Sequence, residues 1–520
     1  MELRILELGG GVLRLNFENG KEEMFIPNND LDRAIKLMLK YFNLKTRNGI
    51  SIKEKYVYNG WNWFPTTITD LFWYAFYPYI QYEKILKKIN RLNLKVSFIN
   101  KGRFWGVYSI YKGINKLSFK NNFFPKLYNL LQYANNYFAI LKNSKKGTLF
   151  YTRILKNFRT EYLEKVLNGI GIKYIKSLNI DKKNLCESLI RFGDYYFICF
   201  LKNENTFRTE YNLNLFRQDR LLSNYVKNTI DYMEILISES IFEYEIHLKL
   251  LSKSKIKYFF SYDETFTFVY PIIYACKKLN IKTIAFQKGL YAKRQVEYMA
   301  PGLEDVHYEW FDKIIVWGEY WKNKLLNNPH IKKDSIMIGA NKNFRFNYED
   351  FVKNYKKKSI KNKDKLNILI PYEFLANTYK IGRYLIKLID NGHTIYFKPR
   401  DDENIDGQVG AYFLPSNYIQ KIKIAERIND ELMRKIDVII GTQTTLLYDL
   451  LPFGKPIFIL DTEYKMLKDM VDEGIAKSLK FSEISGLRAK VRNYKVKRIN
   501  PNFYFNKASL KEVLKPIFLK

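Results

Sequence analysis

Residues 256–289 read IKYFFSYDETFTFVYPIIYACKKLNIKTIAFQKG, which gives an apolar strand, a helix and a second apolar strand in succession. The strands are predicted over residues 256–260 and Lys282–Phe286, and the helix between them over Phe266–Leu279. This order is typical of a βαβ unit, whose strands lie parallel and are joined by a right-handed crossover. A long amphipathic helix is predicted directly before the unit, over residues 216–251. The segment therefore predicts a parallel α/β sheet in the middle of the chain.

Strands continue to alternate with helices on both sides of a lysine-rich tract at residues 353–365, which has no strand pattern. The further strands are predicted at residues 313–317, 335–338, 366–370, 393–397, 438–440 and 456–460. Two blocks of alternating strands and helices predict an α/β fold with two Rossmann-like, doubly wound domains that face a central cleft. We predict an N-terminal domain at residues 1–340, with unassigned α/β additions in residues 1–200, and a C-terminal domain at residues 341–520.

The composition describes a packed globular protein with an excess of positive charge. Of 520 residues, 47% are hydrophobic, and 87 lysines and arginines face 53 acidic residues, for a net charge of +34. Such a charge favours polyanionic partners. Nucleic acid is a disfavoured partner, because no zinc finger, RNP-type aromatic motif or basic leucine zipper is present. The three cysteines have no metal-ligand spacing, and there is no signal peptide or run of 18 apolar residues, so we expect a cytoplasmic location.

One aromatic run, Leu71–Ile80, has two interpretations. It could rest at a lipid interface, where Trp and Tyr are favoured, so that the positively charged chain makes peripheral contact with the inner face of an anionic membrane. It could instead lie in the core, and general burial tendencies favour this second interpretation.

Polar residues follow the predicted strands, and in parallel sheets ligands bind beyond the carboxyl ends of strands. The loop Gly441–Thr445 lies between a buried strand and a helix, where hydroxyls and backbone amides of Thr442, Thr444 and Thr445 could hold an anion. Lys398 and Arg400 follow a neighbouring strand and would add positive charge. Together these residues indicate a phosphate site, while an ordinary threonine helix cap is the alternative.

Carboxylates also follow a strand in the first block. Asp263 and Glu264 come directly after residues 256–260 and are the best candidates for a general base. Capping of the helix that starts near Phe266 is the alternative role for this pair. Asp70, before the aromatic run, is a weaker candidate. The four histidines have no metal-ligand spacing, so no metal site is expected.

Several segments occur in the order seen in one family. Tyr258–Gly289 resembles the Gln-His-Gly stretch of bacterial surface-polysaccharide glycosyltransferases of the GT-B fold. Asp312–Glu319 and Ile338-Gly339 look like the next two landmarks of that group. Tyr396–Arg400 is similar to its Lys-Pro-His-Pro segment, and Asp437–Asp461 to its Ser/Thr-rich donor loop. The group includes capsule glycosyltransferases and sialyl- and Kdo-transferases, and it is related to CDP-polyol phosphotransferases.

The resemblance implies an enzyme that moves a sugar from a nucleotide-sugar donor to a cell-surface glycan or glycolipid, without metal or cofactor. The threonine loop and the Lys-Pro-Arg segment lean toward a CMP-activated acidic sugar. The C-terminal domain would bind the donor, and the N-terminal domain would present the acceptor to Asp263 or Glu264. The expected donor-binding residues are Gln287, Gly339, Lys398, Arg400, Thr442, Thr444 and Thr445.

Two departures from the family pattern keep other functions open. Lys288 stands where the family has His after Gln287, and Arg400 stands where His would follow Lys-Pro. Arg400 can still bind phosphate bidentately, but Lys288 is a poor base at neutral pH unless burial lowers its pKa. The alternatives are a CDP-polyol phosphotransferase on the same fold and a non-catalytic protein that binds anionic surfaces.

Overall fold

The computed structural model describes residues 2–113, 123–152, 158–178, 192–198, 207, 209–262, 265, 267–339, 365–373, 375–400, 404–495, 500–506 and 508–518. Within these ranges, three sheets of four, seven and six strands organise the chain into an N-terminal unit and two larger domains.

The N-terminal unit is built on a four-stranded sheet of order β3-β2-β1-β6. The first three strands pair antiparallel, and β6 joins β1 in parallel. Its strands, with the separate hairpin β4–β5, are β1 Glu2–Glu7, β2 Leu13–Phe17, β3 Glu22–Phe25, β4 Val57–Tyr58, β5 Trp61–Asn62 and β6 Lys95–Phe98. Its helices are α1 Leu31–Phe42, α2 Ile68–Asp70, a π-helix Leu71–Phe76, α3 Tyr77–Arg91 and α4 Arg103–Tyr111. Asp30 caps α1, since its side chain accepts from the backbone N–H of Arg33 at 3.0 Å.

The first large domain has a fully parallel sheet of order β13-β12-β11-β10-β7-β8-β9. Its strands are β7 Thr148–Thr152, β8 Tyr174–Leu178, β9 Tyr195–Phe197, β10 Tyr258–Ser261, β11 Lys282–Phe286, β12 Lys313–Val316 and β13 Ile336–Ile338. Its helices are α5 Phe123–Lys142, α6 Phe158–Gly169, α7 Arg220–Leu251, α8 Tyr270–Lys278, α9 Val296–Met299 and α10 Glu319–Leu325. The predicted βαβ unit is confirmed, because β10 and β11 pair in parallel on either side of α8.

The second large domain repeats this plan with a parallel sheet of order β16-β15-β14-β17-β18-β19. Its strands are β14 Asn367–Pro371, β15 Thr394–Lys398, β16 Ile422–Ile424, β17 Val438–Gly441, β18 Ile457–Leu460 and β19 Lys477–Leu479. Its helices are α11 Thr378–Asp390, α12 Ile405–Gly410, α13 Ser416–Ile419, α14 Asp430–Lys435, α15 Leu446–Asp449, α16 Lys468–Asp472 and α17 Leu487–Arg492. In both domains the chain starts at a central strand and later reverses direction across the sheet, which is the doubly wound topology. The predicted fold class, two Rossmann-like domains, is confirmed.

The last two helices, α18 Pro501–Tyr504 and α19 Leu510–Phe518, pack on the first large domain. The backbone N–H of Asn506 donates to the carbonyl of Trp317 at 2.6 Å, and the ring of Phe518 lies 4.9 Å from that of Tyr258. Residues 501–518 therefore pack with the first domain although they follow the predicted boundary. The boundary itself stays a prediction.

The N-terminal unit also contacts the second domain, through the turn Gly9–Gly11. Gly10 has a φ of +67°, and a Cβ at this position would lie 1.9 Å from Thr378 Oγ1. Nearby, Asn377 Nδ2 donates to the carbonyl of Pro27 at 3.3 Å. A glycine is needed at position 10 for both reasons, the left-handed backbone and the close approach of α11.

The aromatic run Leu71–Ile80 lies mostly in the core. Eight of its ten residues are buried and Trp73 is partly buried, while Tyr74, with 52% of its surface exposed, is the exception. The core interpretation of this run is therefore confirmed, and the lipid-interface interpretation is wrong for it. In the part of the chain that the structure describes, no helix combines the length and apolar character needed to cross a membrane.

Candidate functional site

The carboxyl ends of the two parallel sheets lie on either side of a cleft. The hydroxyl of Tyr320, on α10 of the first domain, lies 3.1 Å from that of Tyr448, on α15 of the second. The π-helix and α3 of the N-terminal unit reach the same region, where the Tyr77 hydroxyl donates to the carbonyl of Leu375 at 3.4 Å. All three units thus meet at the place where a doubly wound fold binds its ligands.

Glu373 stands at the centre of the second domain's face. It follows β14, and its carboxylate accepts the backbone N–H of Thr442 at 2.8 Å and that of Gln443 at 3.0 Å. A Cβ on Gly441 would lie 2.7 Å from Glu373 Oε1. The glycine at the end of β17 therefore makes room for the carboxylate.

Two effects oppose each other at Glu373. The side chain is fully buried, and burial raises the pKa of its carboxyl to about 8, against the lowering effect of the Thr442 and Gln443 N–H groups. A carboxyl that changes its proton occupancy near neutral pH has the properties of an acid–base group.

The loop Gly441–Thr445 has the predicted position, but two of its backbone N–H groups already donate to the Glu373 side chain. The N–H of Thr442, predicted to hold a phosphate, holds the Glu373 carboxylate instead. Thr444 and Thr445 are half-buried and directly precede α15. These two threonines are therefore the partly exposed end of the loop, next to the helix N-terminus. Their role in donor binding remains a prediction.

The predicted cations lie one strand away from this loop, because β15 and β17 both flank β14. Lys398 is buried, and its Nζ donates to the carbonyl of Pro399 at 2.5 Å. Arg400 is exposed, while its backbone N–H and carbonyl pair with the side-chain amide of Gln408 at 2.7 and 3.1 Å. The structure thus brings these two residues to the predicted sheet edge, with Arg400 the more accessible of them.

Gln287 and Gly339, predicted to help bind the donor, have structural contacts. Gln287 is fully buried; its Oε1 accepts the backbone N–H of Trp317 at 2.9 Å, and its Nε2 donates to the carbonyl of Gly289 at 2.8 Å. Gly339 has a φ of +141°, and a Cβ there would lie 2.3 Å from Val513 of α19. These contacts fix loops at the cleft, and a direct role in donor binding stays a prediction for both residues.

Asp263 and Glu264 lie outside the described residues. Next to them in the chain, the carbonyl of Thr265 accepts a hydrogen bond from the hydroxyl of Thr69. Thr69 belongs to α2, which ends at Asp70. Asp70, the weaker candidate from the sequence, therefore lies on the helix that contacts the loop after β10.

A second acidic group accompanies Asp70. Burial, together with the neighbouring charge of Asp70, raises the pKa of Glu239, on α7, to about 8. Within the described ranges, no three His, Cys, Asp or Glu side chains come together in a way that could hold a metal ion. The absence of a metal from the reaction stays a prediction.

Two further residues of the site were not singled out from the sequence. Glu297, on α9 of the first domain, accepts the indole N–H of Trp73 at 3.3 Å, and burial raises its pKa while nearby Lys288 lowers it. Tyr464, after β18 of the second domain, is 1% exposed, and its hydroxyl has no hydrogen-bond partner among the residues that the structure describes.

The phenol of Tyr464 is influenced by charges of both large domains. Burial raises its pKa, and the charges of Tyr77, Glu297 and Glu373 raise it further. Its ring is also 6.1 Å from that of Tyr77, on α3. Tyr464 therefore interacts electrostatically with both large domains and packs close to the N-terminal unit.

A sequence signal existed for Glu373 and not for Glu297. Glu373 follows the predicted strand at residues 366–370 by three positions, so the inspection of strand ends that singled out Gly441–Thr445 would also have found it. Glu297 lies on a short helix between β11 and β12, and only the folded chain brings it to the cleft.

Comparison with known proteins gives distant similarities. No protein-family model matches the sequence. An uncharacterized protein of Methanocaldococcus jannaschii is 26% identical over 234 residues, and the match spans 44% of this chain and 40% of that protein's length.

Three solved structures illustrate the structural similarity. The UDP-GlcNAc 2-epimerase from Neisseria meningitidis bound to UDP-GlcNAc is 12% identical, with a TM-score of 0.41 over 72% of this chain and 98% of that one. MurG of Acinetobacter baumannii is 11% identical, with a TM-score of 0.39 over 72% and 99% of the two chains. A variant of the wall teichoic acid polymerase TagF is 12% identical, with a TM-score of 0.35 over 84% and 94%.

Proposed function

We propose that this chain is a glycosyltransferase that moves a sugar from a nucleotide-sugar donor to a glycan or glycoconjugate acceptor of the cell surface. One observation carries the proposal: carboxyl groups of both large domains, Glu297 and Glu373, act electrostatically on the buried phenol of Tyr464, in a fold whose two domains meet with the Tyr320 and Tyr448 hydroxyls 3.1 Å apart. Titratable groups that converge from facing domains suit a reaction between two substrates, one held by each domain.

The second domain would hold the donor. The hydroxyls of Thr444 and Thr445 follow β17, and Lys398 and Arg400 lie at the end of β15, on the other side of β14. From these two strand ends they would stabilise the phosphate of the leaving nucleotide. Glu373 braces the preceding part of the loop through the Thr442 N–H. The donor's phosphate is therefore expected at the exposed half of the loop rather than at Thr442.

The first domain and the N-terminal unit would hold the acceptor. In the reaction, an acceptor hydroxyl attacks the anomeric carbon, the bond from that carbon to the phosphate oxygen breaks, and the nucleotide leaves with the electron pair. The proton of the hydroxyl passes to a carboxylate. Asp263 and Glu264 remain the proposed bases, since the residues on either side of them lie at the end of β10 and against α2.

The donor class separates this proposal from its alternatives. The similarity of the Lys-Pro-Arg segment and the threonine loop to sialyl- and Kdo-transferases favours a CMP-activated acidic sugar. A CDP-polyol phosphotransferase would instead transfer a phosphate-containing group. A panel of CMP-linked acidic sugars, UDP-linked sugars, GDP-linked sugars and CDP-glycerol, with product masses recorded, distinguishes these reactions by which nucleotide is released and what the acceptor gains.

The test of the catalytic assignment uses the donor that this panel identifies. Asp263→Asn and Glu264→Gln keep the side-chain shape and remove the charge, and one of them should lower the transfer rate by about 10²–10⁴-fold. Donor affinity, measured by calorimetry, should stay near the wild-type value, because the base acts on the acceptor. Glu431→Gln is the matched control, since Glu431 is exposed on α14.

Wild-type transfer rates in both variants would place the base elsewhere, with Asp70 the next residue to change. If no member of the panel releases its nucleotide when glycan or glycolipid acceptors are present, the glycosyltransferase proposal itself is contradicted.

A further inference from the structure

Helix α5 buries three polar side chains and leaves several large apolar side chains exposed. Gln132, Asn135 and Asn136 are buried against the first domain. Leu130 is 64% exposed and Phe138 52% exposed. We define the apolar face by the exposed large side chains of α5 and one neighbour: Leu130, Leu131, Tyr137, Phe138, Leu141 and Phe192. An amphipathic helix of a water-soluble domain shows the opposite arrangement, so this face needs an explanation.

The buried polar residues of α5 complete the edge of the seven-stranded sheet. Asn136 accepts the backbone N–H of Phe197 at 2.8 Å and donates to its carbonyl at 2.8 Å. Asn135 accepts the N–H of Gly193 at 2.7 Å and donates to the carbonyl of Tyr195 at 2.8 Å. The helix thus covers edge strand β9 with amide side chains in place of another strand. Its orientation is fixed by these four bonds, and the apolar face must point away from the sheet.

The apolar face continues beyond the helix. The ring of Phe192 is 5.7 Å from that of Phe138, and the next residues lead to Asp194, which pairs with Lys142 at 2.5 Å. An exposed surface of this kind on a soluble domain marks a docking site.

Basic residues lie at the end of the apolar face. Lys142 is in the last turn of α5, and Lys145 and Lys146 follow the helix directly in the chain. A cavity of about 510 Å³ near the end of α5 is lined by Lys146, Lys173 and Lys176, with Asp194 its one acidic residue. Burial lowers the pKa of Lys146, and the charge of Lys142 lowers it further. Positive charge is therefore concentrated where the apolar face ends.

We propose that the apolar face of α5 docks on an anionic lipid bilayer, with the lysine-lined cavity facing the lipid phosphates. Leucines and aromatic rings enter the boundary between headgroups and acyl chains, and cationic side chains beside them gain from anionic lipid. A second copy of the chain is the weaker occupant, because two molecules of charge +34 repel each other. The contact is separate from the run Leu71–Ile80 and independent of the proposed catalytic function.

The test is flotation of the full chain with vesicles of phosphatidylcholine alone and of phosphatidylcholine with phosphatidylglycerol. Wild-type protein should float with the anionic vesicles and much less with the neutral ones, and binding should decline as salt rises. The variant Leu130→Ser/Phe138→Ser/Leu141→Ser should bind anionic vesicles at least about tenfold more weakly, which corresponds to the loss of roughly one buried apolar side chain or more.

Two matched variants serve as controls. Met24→Ser/Val57→Ser/Ile99→Ser changes three equally exposed apolar residues away from α5 and should leave binding within about twofold of wild type. Lys145→Gln/Lys146→Gln/Lys173→Gln should weaken binding to anionic vesicles and leave the weak binding to neutral vesicles unchanged.

Several outcomes would overturn the proposal. These are equal wild-type binding to neutral and anionic vesicles, unchanged binding of the α5 variant, or equal loss in the control at residues 24, 57 and 99. Size-exclusion chromatography with light scattering completes the test: a wild-type dimer that the α5 substitutions dissociate would identify a second copy as the occupant in place of lipid.

Discussion

Glu373 shows how a single buried residue can carry both structure and chemistry. Its carboxylate ties the end of β14 to the loop after β17, and it fits only because Gly441 has no side chain. The ionised carboxylate is stabilised by two backbone N–H donors and destabilised by the burial of its charge. The protonated carboxyl carries no charge, so it does not have this cost of burial. The balance between these two effects can be measured through the pH dependence of stability.

We predict that the stabilising advantage of Glu373 over Gln decreases as the pH rises. The pKa of about 8 in the folded chain lies above the ordinary value of 4.5, so between these values the folded protein holds a proton that the unfolded chain has lost. The free energy of unfolding of the wild type should therefore fall with rising pH, by up to about 1.4 kcal/mol per unit. Glu373→Gln has no such proton, and urea unfolding at pH 6, 7 and 8 gives the difference between the two proteins.

The exposed Glu431→Gln serves as the control, and its difference from wild type should stay constant over this range, because Glu431 is ionised in both states. A constant difference for Glu373→Gln as well would mean that the N–H donors outweigh burial and that Glu373 is ionised throughout.

At the scale of the element, α5 buries polar side chains and exposes large apolar ones. Asn136→Ala should lower the free energy of unfolding by roughly 2–6 kcal/mol, since it leaves the buried N–H and carbonyl of Phe197 without partners at about 1–3 kcal/mol each. Leu141→Ala, on the exposed face of the same helix, should change it by less than about 0.5 kcal/mol. Chemical denaturation measures both. If the leucine variant proves the less stable, the apolar face is covered by other parts of the chain.

Prediction from the sequence succeeded where elements follow the common patterns. Strands such as β11 and β17 are buried on both faces and read as continuous apolar runs, and short polar loops mark their ends. Helix α5 departs from this pattern. Several of its large apolar residues are exposed, and the side-chain amide of Asn135 bonds to a strand 60 residues away in sequence. The order of the strands around β7–β9 therefore could not be derived.

Some residues of the candidate site could be predicted from the sequence, and others could not. The loop Gly441–Thr445 and the position of Lys398 were predicted, because each follows a recognisable strand. Glu297 and Tyr464 belong to different domains, and only the folded chain brings Glu297 close enough to raise the pKa of the Tyr464 phenol. Periodicity within one segment carries no information about such a pair.

At the scale of the whole molecule, the two large domains are held together by side chains at the cleft as well as by the crossing helices α18 and α19. Lys324, on α10, donates to Asp469 Oδ2 at 3.0 Å and pairs with Glu473, while the backbone N–H of Lys293 also donates to Asp469 at 3.0 Å. The hydroxyl of Tyr320 reaches Glu473 at 3.0 Å. One lysine of the first domain thus neutralises two carboxylates of the second.

We predict that Lys324→Met opens the cleft. The substitution leaves Asp469, which is mostly buried, beside Glu473 with no cation between them, so the two carboxylates repel each other. The cost should be below the roughly 3–5 kcal/mol of a fully buried pair, because Lys324 and Glu473 are partly exposed. Small-angle X-ray scattering should show a larger radius of gyration than that of the wild type. The triple variant Lys324→Met/Asp469→Asn/Glu473→Gln removes the repulsion and should regain the compact form. If instead Lys324→Met scatters like the wild type, the other contacts between the domains, such as that of Tyr320 with Tyr448, hold them together, and this ion cluster does not control closure.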